Sequence, residues 1–177
     1  APRSAGPDRV RKMRMGYNLR TVLQNCRDLK AAGFNDLVSV NYSFNVIDET
    51  FDTIRQTIAY HRELEAIFGA DKVEPAIFFI GLQPHTHLEE YAFNKDILKP
   101  GYNPMSHMPW DARKLLWNPE PLGSFFGEVC LQAWQQNPND FGREVMRILE
   151  QRLGRADLEE ALTAPIEPKA KQLVMSS

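Results

Sequence analysis

No segment of the sequence limits the possible folds more than residues 76–82, AIFFIGL, in which every residue is apolar or glycine. A strand with one solvent-exposed face alternates between apolar and polar residues, whereas continuous apolar runs are typical of parallel strands covered on both faces. Helical patterns lie on either side of this run. It therefore predicts a parallel strand over about residues 75–82.

The residues before this run predict a helix, a strand and a second helix. Asn18 is suited to begin the first helix as its N-cap, and Gly33 is suited to end it. Residues 36–44 are rich in Val, Tyr and Phe and predict a short strand. Asp48 is expected to cap the second helix, and Gly69 to end it. Strands that alternate with amphipathic helices indicate right-handed βα units.

Two convincing strands cannot cover both of their own faces or pair both of their edges. We therefore expect their sheet to continue in residues outside this chain or in a partner chain, as part of a larger barrel or sheet. Beyond Thr86 the pattern is helical, with helices around residues 87–94, 125–135 and 141–153. The expected fold class is α/β, with parallel βα units of a partial barrel followed by a helical extension.

The composition argues against two classes of partner. A formal net charge of −2 and a pI near 6.1 give no general attraction to nucleic acid or to an anionic membrane surface. The apolar runs are far shorter than the roughly 20 residues of a membrane-spanning helix. The two cysteines, Cys26 and Cys130, occur in no C-x-x-C spacing and predict neither a disulfide scaffold nor a metal or cluster site. A reducing cytoplasm is the expected location.

Three short patterns occur in a recognisable order. They are DRVRKMRMGYN at residues 8–18, VNYSFNVIDET at 40–50 and IFFIGLQPHTHLEEYA at 77–92. They resemble, respectively, the stretch after the fourth strand ("vLkrMrKGyt"), the fifth strand with its "GxPGET" turn, and the sixth strand with its "PGTxLyexA" exit in radical S-adenosylmethionine enzymes. The tail at residues 102–123 resembles the C-terminal extension of the cobalamin-binding members. The chain thus resembles the C-terminal half of an enzyme of that group.

The sequence departs from these patterns at several positions. Met15 stands where a lysine is usual, residues 45–48 differ from the turn pattern, and His85 replaces a glycine. Glu49 and Thr50 keep the last two letters of the turn. The resemblance therefore depends on order and spacing as much as on identity.

The resemblance implies a division of the chain and a set of cofactors. Residues 1–94 would be the C-terminal part of a TIM-like barrel, 95–162 a helical extension and 163–177 a frayed tail. The implied cofactor is S-adenosylmethionine, and full-length members also hold a four-iron four-sulfur cluster and cobalamin. The C-x-x-x-C-x-x-C motif that holds the cluster is absent from this sequence, so the cluster ligands are not in this chain.

The resemblance also implies a function and partners. The chain would form part of the S-adenosylmethionine and substrate pocket of a methyltransferase-like or ring-modifying enzyme. Its partners would be a small-molecule substrate and either the N-terminal half of the enzyme or a second subunit, and a homo-oligomer is possible. No nucleic acid and no membrane span are expected.

Two strand ends supply the candidate site residues, since active sites of βα barrels lie at the carboxyl ends of their strands. Asn41, Ser43 and Asn45 alternate along the first strand, so they are expected on one side of the sheet. The resemblance implies that they contact the adenine and ribose of S-adenosylmethionine. The alternative is that they satisfy one another and that Asn45 helps to cap the next helix. Gln83 and His85, after the second strand, are expected to face the substrate.

Other residues carry weaker signals. The aromatic residues Trp110, Trp117, Trp134, Phe125 and Phe126 either line a cavity or form core, and helical spacing favours core. The basic residues Arg9, Arg11, Lys12 and Arg14 either meet an anion or form a solvated face, and the second is favoured.

Two further functions compete with the radical enzyme. One is a non-catalytic binding or assembly protein that pairs its open sheet edge with another subunit. The other is a metal-dependent hydrolase that uses His85 and His87 as ligands, although the spacing places no third ligand and no base.

Overall fold

The computed structural model describes residues 18–154. The basic cluster, most of the first family pattern and the expected tail lie outside these residues. The elements in chain order are α1 (Leu19–Ala31), β1 (Val38–Ser43), α2 (Phe51–Phe68), β2 (Val73–Phe78), β3 (Ile80–Gly81), α3 (His87–Asn94), β4 (Leu116–Trp117), α4 (Leu122–Gln136) and α5 (Phe141–Leu153). Short 3-10 turns occur at Ala70–Lys72, Pro109–Leu115 and Pro138–Asp140.

The strands form two separate pairs. β1 and β2 pair in parallel, in a register that runs from Val38 opposite Val73 to Ser43 opposite Phe78, and α2 connects them. β3 and β4 form a short antiparallel pair. The apolar run of residues 76–82 is thus divided between two sheets, so the prediction of a single strand there is wrong at its carboxyl end.

The expected partial TIM-like barrel is wrong. Within residues 18–154 the molecule is rich in helix, and each of its two sheets has two strands. Apolar residues of α2, α4 and α5 pack with the apolar face of the parallel pair in one core, and no helix of residues 18–154 covers the other face. After Phe78 the chain turns away to pair with residues from the expected helical extension.

Alternation along the parallel pair decides which residues enter the core. In β1, Val40 and Tyr42 are buried, whereas Ser39 and Asn41 are exposed and Ser43 is half-buried. The main core is formed by Leu19, Leu23, Val40, Tyr42, Phe44, Ile54, Ile58, Tyr60, Leu64, Phe68, Val73, Leu122, Phe126, Val129, Ala133, Val145, Met146, Ile148 and Leu149. The opposite face, which we call the helix-free face, carries Ser39, Asn41 and Ser43 of β1 and Glu74, Ala76 and Phe78 of β2.

The helix ends follow local chemistry. Asn18 caps α1 by accepting a hydrogen bond from the backbone N–H of Arg20, as predicted, and Gly33 has the positive φ of a helix-ending glycine. Asp48 is not the cap of α2, contrary to prediction. Thr50 is the N-cap of α2. The Thr50 hydroxyl accepts from the backbone N–H of Thr53, and the Thr53 hydroxyl accepts from the backbone N–H of Thr50, which together form a capping box.

A smaller apolar cluster holds the second sheet. Its buried members are Leu82, which directly follows β3, Ala92 of α3 and Trp117 of β4. α3 has the bounds that the sequence predicts, and its N-cap is Thr86. No helix among residues 18–154 is both long enough and apolar enough to cross a membrane.

Candidate functional site

Asn41 and Ser43, which are predicted to contact a nucleoside, lie together on the helix-free face. Asn41 is exposed and Ser43 is half-buried. The parallel register places them opposite Ala76 and Phe78 of β2. Their amide and hydroxyl groups can both donate and accept hydrogen bonds, so this face presents polar groups at the carboxyl half of the pair.

Asn45 departs from this arrangement. Its backbone has a φ of 53°, in the left-handed region, which ends the alternation of the strand. The side chain is only 2% exposed, and its Nδ2 donates to Asn118 Oδ1 at 2.6 Å and to the carbonyl of Pro119 at 3.0 Å. Asn45 therefore joins the turn after β1 to the segment after β4.

A cavity of about 260 Å³ lies at this junction, at the carboxyl end of β1. We call it the strand-end cavity. Its wall consists of Asn45, Val46, Ile47, Asp48, Glu49, Thr50, Phe51, Tyr91, Ile97, Trp117, Pro119, Glu120, Pro121 and Leu122. Three of these residues carry carboxylates, and no basic side chain is among the described residues of the wall.

The carboxylates on the wall are held by hydrogen bonds. Glu49 accepts from the Thr53 hydroxyl at 2.8 Å and from the Val46 backbone N–H at 3.3 Å. Glu120 accepts from the backbone N–H and the hydroxyl of Ser124, at 3.0 and 2.9 Å. These contacts fix the positions of two negative charges before any ligand arrives.

Trp117 supplies a second feature of the cavity. Its side chain is 3% exposed, and its indole Nε1–H has no hydrogen-bond partner among the described residues. An unpartnered buried donor costs about 1–3 kcal/mol, and most buried donors in folded proteins are paired. The Tyr91 ring lies beside it, with ring centroids 5.9 Å apart.

Gln83 and His85, which are predicted to face the substrate, are both exposed and do not line the strand-end cavity. His85 borders a larger, open cavity of about 840 Å³, with residues of α3 and the following loop. Its backbone N–H donates to Glu89 Oε2 at 2.7 Å, and its φ is 61°. A left-handed backbone favours glycine, the residue that the family pattern has at this position.

Glu89 and Tyr102 form a hydrogen-bonded pair on the wall of this larger cavity. The Tyr102 hydroxyl donates to Glu89 Oε1 at 2.6 Å. This bond, with the backbone N–H of His85, lowers the pKa of Glu89. Burial and the Glu89 carboxylate raise the pKa of Tyr102 to about 12. Neither group is therefore tuned to exchange protons near neutral pH.

The side chains of residues 18–154 that could bind a metal ion lie apart from one another. Within residues 18–154, no three His, Cys, Asp or Glu side chains come together as a metal site. Cys26 and Cys130 are free and partly buried, and burial raises the pKa of both thiols, which disfavours the thiolate that binds metals.

Three polar side chains, those of Tyr42, His61 and Glu65, contact one another in sequence within the main core. The Tyr42 hydroxyl lies 3.1 Å from His61 Nδ1, and His61 Nε2 lies 3.4 Å from Glu65 Oε1. His61 is 2% exposed, so it is a core histidine rather than one at the boundary of the core. The helical pattern of α2 does not predict this polar contact, because Tyr42, the partner of His61, lies on β1.

The geometry leaves two candidate sites, the helix-free face and the strand-end cavity. Comparison of the chain with known protein families, curated proteins and solved structures gives no match.

Sequence reasoning found one of these sites and missed most of the other. The alternation of Asn41 and Ser43 is visible in the sequence, whereas the spacing of the aromatic residues favours core for Trp117, which lies in the smaller cluster and also lines the cavity. Glu120 was missed, because it follows β4 and no spacing relates it to β1. Phe126 lies in the core and Trp134 is 62% exposed, so neither lines the strand-end cavity.

Proposed function

We propose that this chain forms one wall of the S-adenosylmethionine and substrate pocket of a cobalamin-dependent radical enzyme, either methyltransferase-like or ring-modifying. The proposal rests on the order of the three sequence patterns and on one structural observation. That observation is the helix-free face, where Asn41 and Ser43 offer hydrogen bonds at the carboxyl half of a parallel strand pair.

The helix-free face supports a partner as well as a ligand. Parallel strands are normally covered on both faces, and one face of this pair carries no helix from residues 18–154. The N-terminal half of the enzyme or a second subunit would cover it, and a small-molecule substrate would lie between them. Burying Asn41 and Ser43 in this way requires partners for their polar groups, which a nucleoside provides.

The residues of this chain suit the binding of a nucleoside but not the ligation of an iron–sulfur cluster. Amide and hydroxyl groups suit the adenine and ribose of S-adenosylmethionine, whereas the two cysteines do not suit the cluster. Reductive cleavage of the sulfonium would be supplied by groups outside this chain. The role of Asn41 and Ser43 is to bind and orient the nucleoside. The free thiols of Cys26 and Cys130 favour a reducing cytoplasm, and the formal net charge of −2 argues against a nucleic-acid partner.

Titration calorimetry with S-adenosylmethionine tests this function. We expect saturable binding that Asn41→Ala and Ser43→Ala each weaken about three- to tenfold, the value of one hydrogen bond. Ser39→Ala is the matched control, since Ser39 lies on the same face at the amino end of β1. Absence of binding by the folded chain, or an equal loss in Ser39→Ala, would refute the assignment.

A non-catalytic assembly protein is the second candidate, and one observation favours it. Phe78 on the helix-free face is 50% exposed, and Leu37, just before β1, is 55% exposed. Exposed apolar side chains on a sheet face that no helix covers are typical of a surface that binds another protein chain. If the chain self-associates through this face, Phe78→Ser should lower its sedimentation-equilibrium mass, whereas Leu131→Ser, at a similarly exposed residue of α4, should not.

A further inference from the structure

We propose that the outer edge of β1 pairs with a strand of another polypeptide, which would extend the parallel pair to three strands. The proposal deepens the function proposed above, since it states how the partner chain is attached, and it rests on that function for the existence of the partner. The site on this chain is a row of backbone groups, so the partner is an extended segment rather than a small ligand.

The hydrogen bonds of the parallel pair show which backbone groups of β1 point outward. The N–H of Phe44 donates to the carbonyl of Phe78 at 3.3 Å. In such a pair, alternate residues direct both N–H and C=O at the neighbouring strand, and the residues between them direct both away from it. Tyr42 shares the phase of Phe44 and therefore faces β2. The residues of β1 whose backbone groups lie at the outer edge are Ser39, Asn41 and Ser43.

This outer edge of β1 is open within residues 18–154. No backbone–backbone hydrogen bond joins Ser39, Asn41 or Ser43 to another described segment. Ser39 and Asn41 are exposed, and Ser43 is half-buried. Charged side chains commonly protect the edges of sheets from added strands, but β1 carries none. The edge therefore offers both donors and acceptors to an incoming strand.

The outer edge of β2, by contrast, is closed by this chain itself. Pro75 lies at that edge and has no N–H to donate. Its carbonyl is covered by α5, because a Cβ at Gly142 would lie 1.7 Å from the oxygen. Arg143 of α5 donates from Nε to the carbonyl of Val73 at 3.2 Å and from Nη2 to that of Asp71 at 3.3 Å. Strand addition is thus blocked along the amino half of β2 and directed to β1.

The alternation of β1 defines the side chains of the partner strand. Val40 and Tyr42 are buried on the helix-covered face, whereas Ser39 and Asn41 are exposed on the helix-free face. A strand added beside β1 has its side chains on the same two faces. It therefore carries apolar, preferably β-branched residues toward the helices and polar residues on the other side. Its paired residues are uncharged, because β1 offers no opposite charge to balance them.

Residue-resolved hydrogen exchange tests the edge in the whole chain. We expect the amides of Ser39, Asn41 and Ser43 to exchange at least about tenfold faster than that of Tyr42, which faces β2. The probe is a short peptide of alternating valine and threonine between terminal lysines. It should bind saturably and slow the exchange of the edge amides. Its fully N-methylated form, which cannot donate backbone hydrogen bonds, should not.

Two substitutions at Ser39 locate the pairing in the backbone. Ser39→Pro removes one outward N–H, and proline is tolerated in an edge strand at such a position. It should weaken peptide binding about three- to tenfold, the value of one hydrogen bond, while the amide of Tyr42 stays protected. Ser39→Ala keeps the N–H and should bind the peptide within about twofold of wild type.

Four outcomes would overturn the proposal. They are equal exchange of the edge amides and Tyr42, no peptide binding by the folded chain, equal binding of the N-methylated peptide, and equal losses in the two Ser39 variants. Edge amides that become protected at high protein concentration without peptide, with a doubled sedimentation mass, would assign the edge to a second copy instead. Ser39 lies outside the proposed nucleoside contacts, so lost peptide binding with retained S-adenosylmethionine binding would refute strand addition alone.

Discussion

At the scale of single residues, the buried His61 shows how a polar side chain is accommodated in this core. Nδ1 accepts from the Tyr42 hydroxyl if the ring proton is on Nε2, where it faces Glu65. Burial lowers the pKa of His61 and outweighs the opposing effect of the Glu65 carboxylate. Arg62 and Arg143 lower this pKa further, and Glu150 raises it. The imidazole is therefore neutral in the folded chain at neutral pH.

This lowered pKa gives a pH dependence of defined sign. The unfolded chain takes up the His61 proton at a higher pH than the folded chain does, so the His61 contribution to stability is complete above about pH 6.5 and falls at lower pH. We expect the difference in unfolding free energy between wild type and His61→Gln to shrink from pH 7.5 to pH 5.5 in urea titrations. A difference for His61→Gln that stays constant would contradict this assignment.

At the scale of secondary structure, helix ends are decided by backbone conformation as well as by residue type. Asp48 is a good capping residue, but its φ of 60° is incompatible with the extended backbone of an N-cap. Thr50 has an extended backbone, with φ −136°, and finds Thr53 one turn later. The choice between two nearby cap candidates thus depends on the path of the turn after β1.

The packing of α5 on β2 gives the sharpest prediction at this scale. A Cβ at Gly142 would lie 1.7 Å from the carbonyl oxygen of Pro75, so Gly142→Ala must separate the helix from the strand. We expect a loss of about 3 kcal/mol in unfolding free energy. Gly127→Ala, in α4, is the control, because a Cβ there meets nothing within 4 Å. It should gain about 0.5–1 kcal/mol from helix propensity. Equal effects of the two variants in denaturant titrations would show that α5 does not lie this close to β2.

At the scale of the whole molecule, two apolar clusters of unequal size divide the structure. The main core joins α1, α2, α4 and α5 to the parallel pair, whereas the smaller cluster has three buried residues and holds β3, α3 and β4. The strand-end cavity lies where they meet, since Leu122 on its wall belongs to the main core and Trp117 to the smaller cluster.

The unequal clusters predict unequal local stability. Because α3 is anchored by few buried apolar groups, its amides should exchange through a local opening, whereas those of α2 should exchange only through global unfolding. In native-state hydrogen exchange we expect the protection factors of α3 to be at least about tenfold lower. If both helices share the protection of the global transition, the smaller cluster is not a separate unit.

The extent to which the sequence predicted the molecule differs between its fold and its sites. Asn18, Gly33 and Gly69 marked helix ends correctly, because capping depends on residues within one turn. The division of the apolar run after Phe78 was not predicted, because β3 pairs with residues more than thirty positions later. The side-chain partners of Asn45 could not be predicted for the same reason, since Asn118 and Pro119 are more than seventy positions later.

The sequence by itself determined the periodicity of the helices, the positions of the two parallel strands and the alternation that puts Asn41 and Ser43 on one face. These follow from interactions among residues that are close in the chain. The tertiary structure alone decided that the strands of residues 18–154 form two separate pairs, that the indole N–H of Trp117 is buried without a partner among these residues, and that Asp48, Glu49 and Glu120 line one cavity. Each of these depends on contacts between distant segments, whose geometry is set by how the helices pack and not by any local pattern.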